Sequence, residues 1–273
     1  MPLPSKGILE KRYRFTGRLE FTDPVHVGSG FGDNLTDSTV VRAGNTPVIP
    51  GSSLRGAFRA RVERIYGALR PTKCCGLYDR DESFNCATVN MGLRETLENS
   101  AKSSSPPTPK EWLLRLDEKL CDVCKLFGSG ALWTSKIAFT EAKAIGVIPK
   151  REVRHGVGIS RQTGAAAEGI KFDQEIVSAG VSFDFEAILE NPTPTDLSLV
   201  ALGIDQLVRG EIAIGGKTGA GFGRCRLVDG KLFFVNFAER HSVVQYLQNR
   251  KEQTRPLDSF IDQYLPPLWE SET

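Results

Sequence analysis

PVIPGSSLRGAFR, residues Pro47–Arg59, is the most informative stretch of this chain. It joins a Pro-Gly turn signal to two candidate N-cap residues, Ser52 and Ser53. An amphipathic helix is predicted from about Leu54 to Tyr66, because apolar residues recur there at three- and four-residue steps. Residues 45–51 are expected to form a turn. The stretch therefore predicts a sharp turn that leads directly into the start of a helix.

The first turns of this helix are basic. Arg55 and Arg59 lie one turn apart near its predicted N-terminus. Free backbone N–H groups and the helix dipole already favour a phosphate at such a position. The two arginines therefore make the start of the helix a candidate phosphate-binding position.

Strand-like and helix-like segments alternate on both sides of this helix. A helix capped by Asp196 is predicted to run to about Val208, and the tail at 241–250 is also predicted to be helical. A Ser/Pro tract at 103–109 is predicted to be a loop or disordered. The order strand, helix, strand, strand, helix, strand predicts an α+β sandwich of the ferredoxin or RRM type. The strands are predicted at 13–21 with a continuation at 25–27, and at 38–42, 136–144, 181–189, 224–228 and 232–237.

The composition is that of a globular protein. Of 273 residues, 40% are hydrophobic and 25% are charged, which suffices for a sizeable core. Apolar runs such as 181–189 are too short to cross a bilayer, and residues 1–14 lack the apolar core of a signal peptide. We therefore expect a cytoplasmic protein without a membrane partner. A net charge of +2 favours no particular ligand.

Positive charge is concentrated in residues 136–161, where the acidic residues are Glu141 and Glu152. A basic stripe on a nearly neutral protein fits a surface that faces a polyanion. A pair of solvated strands would give the same pattern. The basic residues of the stripe are Lys136, Lys143, Lys150, Arg151, Arg154 and Arg161.

Five of the six cysteines lie within a segment at 70–127 that is predicted to be an insertion. Cys121 and Cys124 form a CxxC pair, and Cys75 with Cys86 can complete four thiolate ligands for a structural Zn²⁺. The segment is polar and has little core of its own, so a metal ion would stabilise it. Isolated buried thiols are the alternative to a metal site. Within the metal site, Cys74 could replace Cys75 as a ligand.

Glycines dominate the loop Gly215–Gly223, which also contains the sequence Gly-Lys-Thr. A nucleotide-binding P-loop is excluded, because Glu211 lies where that motif requires glycine and because the loop precedes a predicted strand instead of a helix. Glycines here would let the backbone pass close to a ligand and direct N–H groups at phosphates. A purely structural hairpin is the alternative.

The titratable residues give weaker signals. The three histidines lie in unrelated sequence contexts, and neither HExxH nor HxH occurs, which disfavours a histidine-driven nuclease or hydrolase. Asp33 and Asp37 lie in the loop between two predicted strands, a position suited to acid–base or metal chemistry. Aspartates in loops are more often turn formers.

Several of these motifs occur together in the order found in one protein family. The chain resembles the RAMP superfamily, and most closely the Cas-seven type backbone subunits of type III CRISPR effector complexes. IPGSSLRG is the most specific match, and the cysteine-bearing insertion is more similar to the type III-D and III-E branch. The matching motifs are HVGSG (His26–Gly30), DSTVVR (Asp37–Arg42), PVIPGSSLRGAFR, LCDVCKLFGS (Leu120–Ser129), GGKTGAGFGRCRL (Gly215–Leu227) and residues 157–185.

The resemblance implies a single domain over residues 1–273. Its parts would be an RRM-like palm, a zinc-binding finger insertion at 70–127 and a β-hairpin thumb at 146–180. Subunits of this kind stack head to tail, with copies or homologues and with other effector subunits, along a guide crRNA. Each thumb kinks the duplex of guide and target RNA at regular intervals, and the target would be cleaved at the same intervals. The implied partners are therefore guide RNA, target RNA and CRISPR proteins.

The resemblance also assigns roles to individual residues. Asp37 would help a ribose 2′-hydroxyl of the target RNA attack the adjacent phosphate, with Mg²⁺ or Mn²⁺ as a divalent cofactor. Asp33 is the second candidate for this role, and the products would be a cyclic phosphate and a 5′-hydroxyl. The thumb residues would be Arg154, Ile159 and Arg161. Guide phosphates would be held by Ser52, Ser53, Arg55 and Arg59, and by Gly216, Lys217, Gly221 and Gly223 of the glycine loop.

Two other functions stay open on the sequence alone. An architectural subunit with the same fold would bind guide RNA without cleaving any target. A stand-alone RAMP endonuclease would process precursor RNA, and it would need a site based on histidine or tyrosine.

Overall fold

The structure, a computed structural model, describes residues 8–75, 117–129, 133–146 and 151–270, together with Cys86, Asn99, Thr108, Glu111 and Leu114. Parts of several predicted features lie outside these residues. They are most of the insertion at 70–127, the Ser/Pro tract at 103–109 except Thr108, and Lys150 of the basic stripe.

The fold is organised around β1 (Lys11–Phe21), a strand with neighbours on both sides. It pairs antiparallel with β8 (Ser182–Glu190) and with β9 (Cys225–Asn236). Alternation along β1 directs Phe15 and Leu19 into the core, where both are fully buried. The remaining strands of this sheet are β10 (Gln253–Pro256) beyond β9, and β4 (Ile137–Phe139), β5 (Ala142–Ile145), β3 (Thr46–Ile49) and β2 (Arg42–Ala43) on the side of β8.

Helices pack against this sheet and against each other. The described helices are α1 (Gly51–Leu69), α2 (Asp122–Phe127), α3 (Pro194–Val208), α4 (Arg240–Asn249), α5 (Leu257–Tyr264) and α6 (Pro267–Glu270). α1 contacts α3 and β4, while α3 also contacts β9. Phe58 of α1 lies 5.2 Å from Phe139 of β4, measured between ring centroids. Among the residues that the structure describes, no helix is both long enough and apolar enough to span a membrane.

A separate antiparallel hairpin is formed by β6 (Glu152–Ile159) and β7 (Ala166–Ile176). The base of this hairpin is joined to the segment that follows β1. Val177, just after β7, pairs with Val25, and Gln174 forms a parallel bridge with Ser38. The hairpin is therefore tied to the main sheet by chain segments that lie far from it in the sequence.

The predicted class is confirmed, since the chain is a mixed α and β protein with a mainly antiparallel sheet. The strands predicted at 13–21 and 181–189 correspond to β1 and β8. The two strands predicted at 224–228 and 232–237 are one continuous strand, β9. Asp229 and Gly230, which lie between the two predicted segments, are accommodated as a bulge opposite Gly17 in β1.

The start of α1 differs from the prediction. The helix begins at Gly51 with Pro50 at the N-cap position, so Ser52 and Ser53 lie within the first turn and neither caps the helix. Residues 46–49, which were expected to form a turn, are instead the strand β3, because this segment is buried beside β5. The strand leads directly into the helix through the extended backbone of Pro50.

Four other local predictions were wrong. Residues 38–42 and 25–27 form isolated bridges and the short strand β2 instead of regular strands. The strand predicted at 136–144 is divided into β4 and β5. The helix α3 is capped by Thr193, and Asp196 completes a capping box from inside the first turn.

Gly203 fixes the approach of α3 to α1, because a Cβ at this position would lie 2.0 Å from the buried ring of Phe58. Gly203→Ala is expected to lower the free energy of unfolding by about 1–3 kcal/mol, since a close-packed core resists added volume. Urea unfolding of the purified protein measures this change. Gly56→Ala in α1 is the matched control, because nothing lies within 4 Å of the added Cβ. Equal losses in the two variants would contradict the described packing.

Candidate functional site

An open cleft of about 470 Å³ lies between the start of α1 and the glycine loop. Ser53 and Gly56 of α1 line one wall, and Gly216 and Thr218 of the loop line the other. Gly28, from the segment after β1, completes the lining. The structure therefore brings together three motifs that are far apart in the sequence.

Glycine is required at two positions of the loop. Gly215 has a φ of 99°, and a Cβ there would lie 2.5 Å from the carbonyl oxygen of His26. Gly223 has a φ of 80°, and its Cβ would lie 2.1 Å from the carbonyl oxygen of Ile214. The N–H of Gly216 donates to the same His26 oxygen at 2.8 Å and holds the loop in place. The loop then leads into β9 instead of a helix, which agrees with the exclusion of a P-loop.

The predicted phosphate-binding residues of α1 fall into two groups. Ser53 is half-buried at the cleft, while Ser52 and Arg55 are exposed in the same first turns of the helix. Arg59 is directed elsewhere, because its guanidinium lies 3.2 Å from the Sγ atom of Cys124. The structure therefore separates Arg59 from the residues with which the sequence grouped it.

The base of the hairpin contacts the glycine loop through two cation–π pairs. The Nζ atom of Lys217 lies 3.9 Å from the ring centroid of Phe172, and the guanidinium of Arg154 lies 5.4 Å from that of Phe222. Both cationic side chains are exposed, so the ring contacts orient them without removing their charge from solvent. Two predicted RNA-binding residues from separate motifs therefore both lie at the junction of the hairpin and the glycine loop.

The outer part of the hairpin carries the other two predicted thumb residues. Ile159 ends β6 and is 59% exposed, and Arg161 is exposed in the turn that follows. An exposed, large apolar side chain at this position is available to a partner. Neither residue lines the cleft, so the hairpin separates them from Arg154 at its base.

Asp37 lies on an exposed loop that is docked on β7. Its N–H donates to the carbonyl oxygen of Asp173 at 2.8 Å, and its Oδ2 accepts from the N–H of Asp173 at 2.7 Å. The next residue, Ser38, continues the pairing by accepting from the N–H of Glu175 at 2.9 Å. Asp37 is therefore fixed at the base of the hairpin while its side chain remains open to solvent.

Asp33, the second catalytic candidate, is engaged within its own loop. Its Oδ2 lies 2.6 Å from Nη1 of Arg151, and its Oδ1 accepts from the N–H of Thr36 at 2.9 Å. The hydrogen bond from Arg151 holds the pKa of the Asp33 carboxyl far below its ordinary value. A carboxylate with so low a pKa is a weak base, so these contacts favour a structural role for Asp33.

A buried network joins the cleft to the hairpin. The carboxylate of Glu175 accepts from Arg42 at 2.6 Å, and this pairing offsets the cost of burying its charge. The carbonyl oxygen of Glu175 accepts from Nδ1 of His26 at 2.7 Å, so the other ring nitrogen accepts from the hydroxyl of Ser38 at 3.1 Å. Sequence reasoning missed Glu175 and its contact with His26, because no local pattern marks a contact between such distant segments.

A second histidine reaches the same part of β7. Nδ1 of His155 lies 2.6 Å from Oδ1 of Asp173, and the two residues face each other across β6 and β7. The hydrogen bond from His155 lowers the pKa of the Asp173 carboxyl. His26 and His155, which lie in unrelated sequence contexts, therefore both contact β7.

Cys75, Cys86, Cys121 and Cys124 are buried, and their sulfur atoms all lie within 4.8 Å of one another. The sulfur atoms of Cys75 and Cys124 are 3.6 Å apart, close to the roughly 3.8 Å between thiolates arranged tetrahedrally around Zn²⁺. Cys74 is less buried and lies outside this group. The cluster can bind a metal ion such as zinc. Within the described ranges, no second group of three or more potential ligands lies this close together.

Two side chains of α1 tie the helix to the cysteine cluster. Arg59 donates to the carbonyl oxygen of Gly128 at 2.8 Å, in addition to its contact with Cys124. The hydroxyl of Tyr66 donates to Asp122, between the two cysteines of the CxxC pair, at 2.7 Å. Four thiolates around Zn²⁺ carry a net negative charge, which the guanidinium would offset. Arg59 therefore suits the cysteine cluster better than a guide phosphate.

The family model of the RAMP superfamily matches residues 18–226 of this chain. The chain belongs to the RAMP superfamily. In this RAMP protein the matched range runs from β1 to the start of β9, so it includes the cleft, the Asp37 loop, the hairpin and the four clustered cysteines. Membership suggests a CRISPR-associated role in RNA binding. A comparison with curated proteins gives no match.

Cys75→Ser is expected to lower the zinc content of the purified protein and to reduce the free energy of unfolding by about 4 kcal/mol or more, as lost metal sites do. Elemental analysis and urea unfolding measure the two effects. Cys74→Ser is the matched control, since it changes the neighbouring thiol outside the cluster. It should retain the zinc content and the stability of the wild type. If Cys74→Ser loses zinc and stability while Cys75→Ser retains both, the ligand is Cys74 and not Cys75.

Proposed function

We propose that this RAMP protein is a crRNA-binding backbone subunit of a type III CRISPR effector complex and that it cleaves complementary target RNA. One observation carries the proposal: the start of α1 faces the glycine loop across one cleft, the hairpin base contacts that loop, and the Asp37 loop is bonded to the hairpin base. An RNA strand that followed the cleft would pass all four. Membership of the RAMP superfamily supports the RNA-binding part.

The architecture supports an arrangement of palm, finger and thumb in a single domain. The strand order β9–β1–β8–β5, with α1 and α3 in the connections, corresponds to the βαββαβ order of RRM-like folds. The β6–β7 hairpin, within 146–180, is then the thumb. The four clustered cysteines mark a zinc-binding finger at 70–127, which favours the type III-D and III-E branch.

The guide RNA is held by its sugar-phosphate backbone. The first turn of α1 offers backbone N–H groups and the positive end of the helix dipole, and Arg55 adds an exposed charge. The glycine loop approaches from the other wall of the cleft. Because none of these contacts reads a base edge, guides of any sequence can be bound. The residues in this role are Ser52, Ser53, Arg55, Gly216, Lys217, Gly221 and Gly223.

The thumb separates neighbouring nucleotides of the guide–target duplex. Ile159 presents an exposed apolar side chain near the hairpin turn, which suits insertion between bases. Arg161 lies next to it, and Arg154 lies at the hairpin base beside the glycine loop. Both arginines are exposed and can bind the phosphates on either side of the displaced nucleotide.

The subunit works in an assembly. Copies or homologues stack head to tail on one guide, since a heterologous contact that does not close produces a filament. Other CRISPR effector subunits complete the ribonucleoprotein, which acts in antiviral defence. Its guide and target RNA are found in the cytoplasm.

Asp37 acts on the target RNA beside the nucleotide that the thumb displaces. Its attachment to β7 places its carboxylate at the hairpin base. There it orients and deprotonates a ribose 2′-hydroxyl, which attacks the adjacent phosphate in line. Positioning supplies most of the acceleration, and the acid–base contribution is about 10²–10⁴-fold. Mg²⁺ or Mn²⁺, when bound, would neutralise charge on the phosphate.

A non-catalytic architectural subunit is the second candidate. It is favoured by the hydrogen bond that Oδ2 of Asp37 accepts from the N–H of Asp173 at 2.7 Å. A carboxylate in this position can serve simply to fix the loop to β7. Both candidates bind guide RNA, and they differ only in whether the target is cut.

Arg55→Ala is expected to weaken binding of guide RNA several-fold, because it removes an exposed charge at the helix start. The slope of log K against log salt should fall by about 0.7, the value for one phosphate contact with a single strand. Filter binding over a range of salt concentrations measures both. Arg64→Ala is the matched control, an exposed arginine nearer the other end of α1. Equal losses in the two variants would argue against the cleft as the binding site.

Asp37→Asn distinguishes the two candidate functions. The amide can still accept the N–H of Asp173 but cannot take a proton, so cutting should fall by about 10²-fold or more while RNA binding persists. Complex assembled on guide RNA is incubated with a labelled complementary RNA, and the fragments are separated on a denaturing gel. Asp33→Asn is the matched control and should cut at a rate within a few-fold of the wild type. Wild-type complex that cuts nothing would instead support the architectural subunit.

A further inference from the structure

His155 and Asp173 form a pair directly beside Asp37. Nδ1 of His155 lies 2.6 Å from a carboxylate oxygen of Asp173. The backbone N–H and C=O groups of the same aspartate are bonded to Asp37, at 2.7 and 2.8 Å. One residue of β7 therefore connects an imidazole to the carboxylate that is proposed to activate the 2′-hydroxyl.

The imidazole and the Asp37 carboxylate start from opposite edges of β7. His155 lies on β6, in register with Asp173. The N–H and C=O groups of Asp173 are directed to Asp37, on the edge of β7 that faces away from β6. Neighbouring strands are about 4.8 Å apart, so the two side chains start roughly 10 Å from each other. This separation leaves room for one phosphodiester between the two side chains.

His155 is available for chemistry. Its side chain is 64% exposed, and the contact of Nδ1 with Asp173 leaves Nε2 at the outer end of the ring. A carboxylate in this position fixes the orientation of the ring. Exposed ion pairs contribute little to folding stability. A gain in folding stability therefore does not explain why His155 is paired with Asp173.

We propose that His155 is the general acid of target cleavage and that Asp173 is its positioning residue; this inference rests on the proposed function of Asp37. The carboxylate of Asp37 takes the proton of the 2′-hydroxyl, the 2′ oxygen forms a bond to phosphorus, and the bond from phosphorus to the 5′ oxygen breaks. The Nε2 proton of the imidazolium passes to the leaving 5′ oxygen. The products are a 2′,3′-cyclic phosphate and a 5′-hydroxyl, and exchange with water restores both protonation states.

A leaving-group substitution tests this assignment. The complex is assembled on guide RNA, the cut is mapped, and a second target RNA is made in which sulfur replaces the 5′ bridging oxygen at that position. A thiolate leaves without being protonated, so this substrate does not need the acid. His155→Ala is expected to cut ordinary RNA about 10²–10⁴-fold more slowly, yet to cut the sulfur-containing RNA at a rate within a few-fold of the wild type. Asp173→Asn should show a smaller loss and the same recovery.

Two controls distinguish the loss of a general acid from a general loss of cleavage activity. Asp37→Asn should remain slow on both substrates, because sulfur at the leaving position does not replace the base. His241→Ala, which changes an exposed histidine on α4, should cut both substrates like the wild type. Gel-shift measurements with guide and target verify that each variant assembles.

The outcomes are distinguishable. If His155→Ala cuts ordinary RNA at the wild-type rate, or is equally slow on both substrates, His155 is not the acid and only this assignment fails. If the wild-type complex cuts neither substrate, target cleavage itself is refuted and the acid assignment falls with it.

Discussion

The pairing of Asp37 and Ser38 with β7 is the contact on which the rest of the site depends. Two backbone hydrogen bonds, from Asp37 to Asp173 and from Glu175 to Ser38, join the loop after β1 to the hairpin base at 2.8 and 2.9 Å. The buried carboxylate of Glu175 supports the same junction through its ion pair with Arg42. An isolated two-stranded hairpin is at best marginally stable in water. This junction therefore gives the hairpin a defined direction relative to the cleft.

Residues of the same type have different roles in this molecule, and the contacts of each side chain determine its role. Asp33 is held by Arg151 inside its loop, whereas Asp37 is attached to β7 and remains exposed. Arg59 is largely buried against the cysteine cluster, whereas Arg55, one turn earlier, is exposed near the cleft. The positive charge that faces solvent along the cleft is therefore smaller than the number of arginines in the sequence suggests. Its position is also better defined.

Structural features that depend only on residues close together in the chain were predictable from the sequence. The apolar steps of α1 and the CxxC spacing of Cys121 and Cys124 each describe contacts within one or two turns. Contacts between distant segments were not predictable, because no periodicity states which strand lies beside a loop. His26 and Glu175 are separated by 149 positions along the chain. The turn expected at 45–51 failed for the same reason, since pairing with β5 makes most of it a strand.

The surface of the hairpin determines how the chain behaves without RNA. Four large apolar side chains there are between 38% and 59% exposed: Val157, Ile159, Ile170 and Phe172. They lie on a two-stranded sheet whose edge strands offer backbone groups to a further strand, and such edges template self-association. Added salt screens the repulsion between the basic side chains nearby and leaves the apolar attraction in place. The free chain is therefore expected to self-associate most readily at high ionic strength.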